Sequence, residues 1–170
     1  SSLARFTRSS NGGIVMLADP ATLGDVAGAD YYVEARLRVT AIAGDKQLYL
    51  LARYQDDNNW YGAGLNIQNT PASSRIAVDK MVNGLRAENF LPKFNTSLHP
   101  NVWYTVRFSV NGDAMTVYLD GVPVITGNNS DLAGRGQIGL FTHNLSFDMD
   151  YVKVGSATDV PDRPSQIAIS

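Results

Sequence analysis

Residues 50–65 read LLARYQDDNNWYGAGL, in which two apolar-rich runs flank the polar sequence Asp56-Asp57-Asn58-Asn59. Clusters of Asp and Asn favour tight turns, because their side chains hydrogen-bond the nearby backbone and tolerate left-handed conformations. On both sides of the turn, apolar side chains alternate with others, as they do in strands that bury one face. The stretch therefore predicts a β-hairpin, with one strand over residues 47–54 and its partner over residues 60–68.

The same alternation continues along most of the chain, and no long segment keeps a helical period. Asn83-Gly84 and Asn111-Gly112-Asp113 lie between alternating segments, and Asn-Gly is a strong hairpin signal. The pattern predicts an all-β protein, an antiparallel two-sheet β-sandwich of roughly ten or eleven short strands. The predicted strands cover residues 31–39, 47–54, 60–68, 76–82, 85–94, 102–110, 115–119, 122–126, 136–142 and 146–154.

Composition narrows the possible functions. The 170 residues include 14 basic and 16 acidic side chains, a net charge of −2, so the chain lacks the basic surplus of nucleic-acid-binding proteins. It has no cysteine, which excludes disulfides and thiolate metal sites. No run approaches the ~20 apolar residues of a membrane-spanning helix. We therefore expect binding to neither nucleic acid nor membrane. We also predict a monomer.

Residues 156–170 differ in character from the rest, because they carry Pro161 and Pro164 among small polar side chains. Such a composition is typical of a linker. We predict a sandwich domain over residues 1–155, followed by a linker or the start of a further, immunoglobulin-like module. We expect the chain to be an excised domain or a mature fragment. The alternative is a C-terminal tail that packs back on the sandwich.

Three stretches resemble the concanavalin-A-like jelly rolls of the laminin-G-like type. They are the hairpin at 50–65, VWYTVRFSVNGDAMTVYLDGVPV at 102–124 and GQIGLFTHNLSFDMDYVKV at 136–154. The resemblance implies a jelly roll, and it is nearest to the carbohydrate-binding modules of secreted polysaccharide-degrading enzymes. It implies a non-catalytic, extracellular module that targets an attached enzyme to a polysaccharide. The alternatives are a small polysaccharide lyase or glycoside hydrolase, and a protein-binding adhesion domain.

The catalytic motifs of such folds are missing from this chain. The resemblance implies a Glu-x-Asp-x-x-Glu strand in the glucanases, but Glu34 and Glu88 are the only glutamates and lie in different predicted hairpins. Asp148 and Asp150 share a face but have no third acid after them. The Gln-x-His strand of the lyases is also missing. We therefore predict no catalytic residue and favour binding.

A carbohydrate site needs aromatic faces for stacking and planar polar groups for the sugar hydroxyls. If the apolar members of each strand face the core, the residues between them form an outer face with Gly62 and Gly64 as a cleft floor. We interpret Trp103, which leads its strand, as sheet packing. A modest excess of basic residues on outward positions favours an acidic plant or algal polysaccharide. The predicted ligand-binding residues are Tyr32, Arg36, Tyr49, Arg53, Trp60, Asn66, Phe141 and His143.

The resemblance also implies a structural Ca²⁺ that ties an early loop to the last strand. Asp19 and Asp150 are the predicted ligands, since Ca²⁺ prefers carboxylate and carbonyl oxygens. Alternation places Asp150 on the inward face together with Val152 and Val154, where a carboxylate needs a partner. The alternative is that Asp150 accepts hydrogen bonds from backbone amides, a tyrosine or an arginine, without a metal.

Overall fold

The computed structural model of the protein describes residues 4–7 and 13–162, which form β-strands joined by turns and two short 3₁₀ helices, Pro20–Thr22 and Pro71–Ser73. Within these residues, no helix has the length and apolar character needed to span a membrane. The strands are β1 (Ala4–Thr7), β2 (Gly13–Ala18), β3 (Tyr31–Asp56), β4 (Asn59–Ile67), β5 (Arg75–Val82), β6 (Leu85–Ala87), β7 (Phe94–Asn95), β8 (Trp103–Asn111), β9 (Ala114–Leu119), β10 (Val122–Asn128) and β11 (Gln137–Ser156).

All strand pairs are antiparallel, in the order β10-β9-β8-β3-β4-β5-β6, and β11 lies beside β3 along its length. The sheet folds into two layers because the two halves of the long strand β3 pair with different neighbours. Residues 31–38 of β3 pair with β8, which defines the first layer, whereas residues 46–56 pair with β4, which defines the second layer. The result is a two-layer antiparallel jelly roll, so the predicted fold class is confirmed.

One hydrophobic core fills the space between the two layers, and the inward positions predicted from alternation are confirmed. Burial of each such Leu or Val side chain contributes about 1.5–3 kcal/mol. The fully buried residues on the inner sides of β3 and β4 are Val33, Ala35, Leu37, Val39, Leu48, Leu50, Ala52, Ala63, Leu65 and Ile67.

The structure corrects several predicted strand boundaries. The predicted strands 31–39 and 47–54 are one continuous strand, and so are 136–142 and 146–154, because the two junctions pair with each other, Leu145 opposite Ile42 and Ser146 opposite Ala41. The strand predicted over 85–94 ends at Ala87. The Asn83-Gly84 hairpin is confirmed, with both residues at positive φ (51° and 78°) as such a two-residue turn requires.

A β-bulge in β11 reverses the predicted orientation of Asp150. The register against β3 shifts between Met149 and Tyr151, so Met149 faces the core while Asp150 and Tyr151 face outward. Asp150 Oδ2 accepts a hydrogen bond from Arg36 Nη1 at 3.0 Å. The prediction that Asp150 points inward with the neighbouring valines is wrong, because the bulge adds one residue and shifts the alternation.

A second register shift, between β3 and β4, turns Arg53 into the end of the sandwich. Arg53 has a φ of 48°, and its side chain is 3% exposed. The structure therefore corrects the prediction that the Arg53 side chain belongs to the outer, ligand-binding face. Its guanidinium donates to the carbonyl oxygens of Ala29 (3.0 Å), Gly112 (2.9 Å) and Leu132 (3.1 Å) and to Asp30 Oδ1 (3.0 Å).

The described part of the predicted linker packs against the first layer. Ser109 Oγ donates to the Ala157 carbonyl at 3.3 Å, and Arg107 Nη1 donates to the Asp159 carbonyl at 3.1 Å. This contact favours the tail alternative for residues 157–162. Residues 163–170, including Pro164, lie outside the described residues, so the start of a following module stays a prediction.

Replacing Arg53 with methionine is expected to destabilise the fold by about 3 kcal/mol, because the buried carbonyl acceptors at the end of the sandwich lose their donors. Urea unfolding followed by circular dichroism measures the change in the free energy of unfolding.

The matched control is Arg135→Met, which removes an exposed arginine paired with Asp19 at 3.0 Å. Exposed ion pairs contribute under about 1 kcal/mol, so this variant should stay close to the wild type. Equal losses in the two variants would show that the buried position of Arg53 has no special importance.

Candidate functional site

The predicted ligand residues lie on two opposite outer faces, because β3 passes from one layer to the other. Tyr32 and Arg36 lie on the outer side of the first layer, where the Arg107 guanidinium stacks on the Tyr32 ring at 3.6 Å. Both would share a face with Trp60 only if residues 31–39 lay in the same layer, and the structure places them in the other layer. We call the outer side of the second layer the Trp60 face; it comprises Gln47, Tyr49, Trp60, Asn66, Arg75, Asp79, Arg86, Phe141 and His143.

Strand pairing arranges polar side chains in a row across the Trp60 face. His143 lies opposite Gln47, Gln47 opposite Asn66, and Asn66 opposite Arg75. Opposed residues of an antiparallel pair project on the same side of the sheet, so the register alone brings four strands' polar groups together. The structure thus groups five of the predicted ligand residues on one face: Tyr49, Trp60, Asn66, Phe141 and His143.

The aromatic rings of the Trp60 face form two levels. Trp60 is only 1% exposed and stacks under Phe141, with ring centroids 5.6 Å apart and planes inclined by 28°. Tyr49 lies 6.2 Å from the same Phe141 ring and is also buried. Phe141 is half-buried. The outward aromatic surface is therefore Phe141, while Trp60 and Tyr49 support it from below.

The two glycines of β4 do not form an open cleft floor. A Cβ on Gly62 would lie 3.0 Å from Cζ3 of Trp60, so the indole already occupies that space. A Cβ on Gly64 would overlap the Leu48 carbonyl oxygen of the neighbouring strand. Gly62 accommodates the buried indole and Gly64 permits close approach of β3, which is the physical reason why the predicted floor is wrong.

Arg86 is the central polar group of this face, and the sequence analysis missed it. Its Nη2 donates to Gln47 Oε1 at 2.6 Å and to Asp79 Oδ2 at 2.8 Å. The guanidinium carbon lies 4.8 Å from the Phe141 ring centroid, within cation–π range. The side chain remains 26% exposed. Arg86 is thus held by Gln47, Asp79 and Phe141, and part of its side chain is open to solvent.

Three nitrogen donors of the Trp60 face lack a hydrogen-bond partner in the described structure. They are Trp60 Nε1, Arg75 Nε and Arg86 Nε, and all three are buried. Buried donors without acceptors are rare in folded proteins, and each costs about 1–3 kcal/mol. All three atoms are enclosed by the protein, so a ligand on this face would reach the exposed part of the Arg86 guanidinium rather than these donors.

The carboxylate beneath Arg86 is held in a buried position. Asp79 Oδ1 accepts a hydrogen bond from the Asn89 backbone amide at 2.8 Å, while Oδ2 accepts from Arg86. Burial raises the pKa of Asp79 above its ordinary value, although the hydrogen bond from Arg86 opposes this. Both oxygens are engaged, so Asp79 positions Arg86 and is poorly placed to take a proton from a ligand.

The predicted calcium ligands do not fit a shared site. Asp19 accepts a hydrogen bond from the Ala21 amide at 2.9 Å and pairs with Arg135, whereas Asp150 pairs with Arg36. The described residues contain no group of three or more His, Asp or Glu side chains that could hold a metal ion. In the structure, the carboxylates of Asp19 and Asp150 are therefore paired with two different arginines, Arg135 and Arg36.

The fold is a concanavalin-A-like jelly roll, as predicted. The family described as the 3-keto-alpha-glucoside-1,2-lyase-like domain matches residues 5–154. This match covers most of the chain, and the chain belongs to that family. A comparison of the chain with curated protein sequences found no match.

Solved structures share the fold. The carbohydrate-binding module CBM66 of Bacillus subtilis superposes with a TM-score of 0.67 at 22% identity, over 88% of this chain and 84% of that one. The GH43 protein BlXynB of Bacillus licheniformis gives 0.59 at 15% identity, over 75% of this chain and 28% of that one. A SAP-like pentraxin of Limulus polyphemus gives 0.51 at 14% identity, over 75% and 64%. At these identities the similarity concerns the fold alone.

The buried Asp79 predicts a specific pH dependence of stability. Its pKa is higher in the folded than in the unfolded state, so the folded state binds the proton more tightly. The stability of the wild type relative to Asp79→Asn should therefore fall as pH rises from about 4, the ordinary pKa of an aspartate, through the raised pKa. Urea unfolding of both proteins at pH values from 4 to 8 measures the difference.

Asp131→Asn is the matched control with the opposite sign. The hydrogen bond from Lys80 lowers the pKa of Asp131, so this carboxylate stabilises the fold above its unfolded pKa and loses that effect as pH falls. The wild type should gain stability relative to Asp131→Asn as pH rises. A wild-type curve parallel to that of Asp79→Asn would contradict the buried-carboxylate interpretation.

Proposed function

We propose that this chain is a non-catalytic, extracellular carbohydrate-binding domain whose Trp60 face holds an acidic polysaccharide. As part of a larger protein with catalytic or immunoglobulin-like modules, it would keep an attached enzyme near its substrate and raise the effective concentration. The shared fold with a carbohydrate-binding module and the family match both support a carbohydrate role.

The observation that carries the proposal is the state of Arg86. Its Nη2 is anchored by Gln47 and Asp79, and within the described residues no hydrogen bond engages its Nε or Nη1. An arginine held in this way loses little conformational freedom when it binds a ligand. The guanidinium lies over the Phe141 ring, 4.8 Å from its centroid, so this ring supports the arginine. A sugar bound over the exposed guanidinium would bring its oxygens within reach of Nη1.

The exposed part of Arg86 favours a ligand that carries carboxylates. The Arg86 side chain is 26% exposed, and a carboxylate is the strongest acceptor that a polysaccharide offers. Glu88 lies 3.6 Å from Arg86 and is well exposed. Such an exposed contact contributes under about 1 kcal/mol, so a uronate carboxylate would displace it.

A second candidate is a lyase, which the name of the matched family favours. Such a reaction on a 3-keto-α-glucoside would remove the C2 proton, which is acidic beside the C3 carbonyl. The electron pair would expel the C1 glycosidic oxygen, which leaves as an alcohol after protonation. His143 is the imidazole of the Trp60 face, but its Nε2 lies 3.0 Å from Asn144 Nδ2. The geometry therefore supports binding better than proton transfer.

The enzyme alternative is tested by incubating the purified domain with 3-ketotrehalose and following the ultraviolet absorbance of the unsaturated product. We expect no absorbance change above a blank without protein. Turnover that disappears in His143→Gln would replace the binding proposal with the lyase.

Binding is tested by affinity electrophoresis through gels that contain pectate, alginate or neutral xylan. We expect retardation by at least one acidic polysaccharide. The double variant Arg86→Met with Asp79→Asn removes the ion pair without leaving a buried charge, so it should fold. It should bind roughly 10- to 100-fold more weakly, the worth of a hydrogen bond to a charged group.

Arg135→Met is the control, since it removes an equal charge far from the proposed contact. Unchanged retardation of the Arg86 double variant would show that the Trp60 face does not hold the polysaccharide. A lack of retardation of the wild type on every gel would remove the carbohydrate-binding proposal.

A further inference from the structure

A second cleft, of about 580 Å³, lies on the outer side of the first layer, on the opposite side of the sandwich from the Trp60 face. β3, β8 and β11 form its floor, and Pro161 and Asp162 of the segment after β11 form part of its rim. We call it the Trp103 cleft. Its central lining residues are Arg36, Trp103, Thr105, Asp120, Tyr151 and Lys153.

Trp103 supplies an aromatic surface at one wall of this cleft. The ring is half-buried, and the guanidinium carbons of Arg36 and Arg38 lie 4.5 Å and 4.6 Å from its centroid. Each arginine is fixed in turn, Arg36 by Asp150 at 3.0 Å and Arg38 through its Nε to Asp148 at 3.0 Å. Trp103 is therefore a held, partly open ring on the outer face, beyond the sheet-packing role predicted for it.

The floor of the cleft is organised around Glu34, which is 3% exposed. Glu34 Oε1 accepts a hydrogen bond from Arg107 Nε at 2.9 Å, and Oε2 accepts from Tyr151 Oη at 2.9 Å. Lys153 Nζ lies 3.2 Å from Oε2, and the lysine side chain is 47% exposed. The buried carboxylate fixes the tyrosine and leaves Lys153 at the open side of the cleft.

The charge of this cleft differs from that of the Trp60 face. Its lining contains the carboxylates of Glu34, Asp120 and Asp162 and the cations of Arg36 and Lys153. Carboxylates are thus not outnumbered by cations, so an anionic ligand gains no net attraction. Hydroxyl groups, which both donate and accept, match this mixed lining.

From this geometry we infer that the Trp103 cleft is a second, independent saccharide site that takes a neutral sugar. The sugar would contact the exposed part of Trp103 that borders the cleft, and its hydroxyls would bond Lys153 and Asp120. The two sites lie on opposite sides of the sandwich, so one domain would hold a neutral and an acidic glycan at the same time. The inference does not depend on binding at the Trp60 face.

The chain has two tryptophans, and one lies at each site, which makes the test direct. In an ¹H–¹⁵N correlation spectrum, the two indole N–H signals are assigned with Trp60→Phe and Trp103→Phe. The probes are the neutral tetrasaccharides of β-1,4-linked xylose, glucose and mannose, and the acidic tetrasaccharide of galacturonate. We expect at least one neutral probe to shift the Trp103 signal saturably while the Trp60 signal stays in place.

Lys153→Met is the test variant, because its exposed side chain can be replaced without opening the core. It should weaken the neutral-probe titration of the Trp103 signal roughly three- to tenfold, the worth of one hydrogen bond. The matched control is Arg86→Met with Asp79→Asn, which should leave that titration unchanged.

The inference is overturned if no neutral probe moves the Trp103 signal. It is also overturned if a neutral probe moves that signal with the same affinity in the wild type and in Lys153→Met. A shift of the Trp60 signal by the galacturonate probe bears only on the proposed function. Failure of one site is therefore distinguishable from failure of the other.

Discussion

The antiparallel ladder between β3 and β11 is the constraint on which the rest of the structure depends. Both strands run through both layers, and residues 137–156 follow residues 31–54 with register shifts. A slip of one residue would exchange the core side with the outer side along the whole ladder. The bulges correct the alternation locally, and two of them position charged groups. One turns Asp150 outward to Arg36, and the other accompanies the turn of Arg53 into the sandwich end.

Arg53 shows how a single buried cation joins segments that are distant in sequence. Its partners lie in the segment before β3, the turn between β8 and β9 and the segment before β11. Asp30 also accepts a hydrogen bond from the Gly112 amide at 2.8 Å, so the ion pair and the turn form one network. Such a network costs desolvation and is stable only when the donors are satisfied, which the observed geometry achieves.

Alternation in the sequence was enough to predict the all-β class and which residues face the core, because burial imposes a period of two on each strand. It does not show which layer an outward residue joins, so it leaves open whether Tyr32 and Arg36 share a face with Trp60. Bulges leave no signal in hydrophobic alternation, so alternation predicts the wrong side for Arg53 and Asp150. The position of Arg86 on the Trp60 face is predictable from the sequence. The Asn83-Gly84 turn sets it opposite Met81, and Met81 lies opposite Trp60.

The two outer faces differ in how their polar groups are balanced, and this difference follows from what each buried carboxylate binds. Asp79 binds one arginine and one backbone amide, and it leaves the Nε atoms of Arg86 and Arg75 without acceptors. Glu34 instead faces three cationic or hydroxyl donors, and among the described residues its cleft has no buried donor left unpaired. A face with a fixed, partly exposed arginine gains most from a ligand that brings a carboxylate, whereas a cleft of mixed charge gains most from one whose groups both donate and accept. The same sandwich therefore presents two chemically distinct surfaces, separated by the thickness of its core.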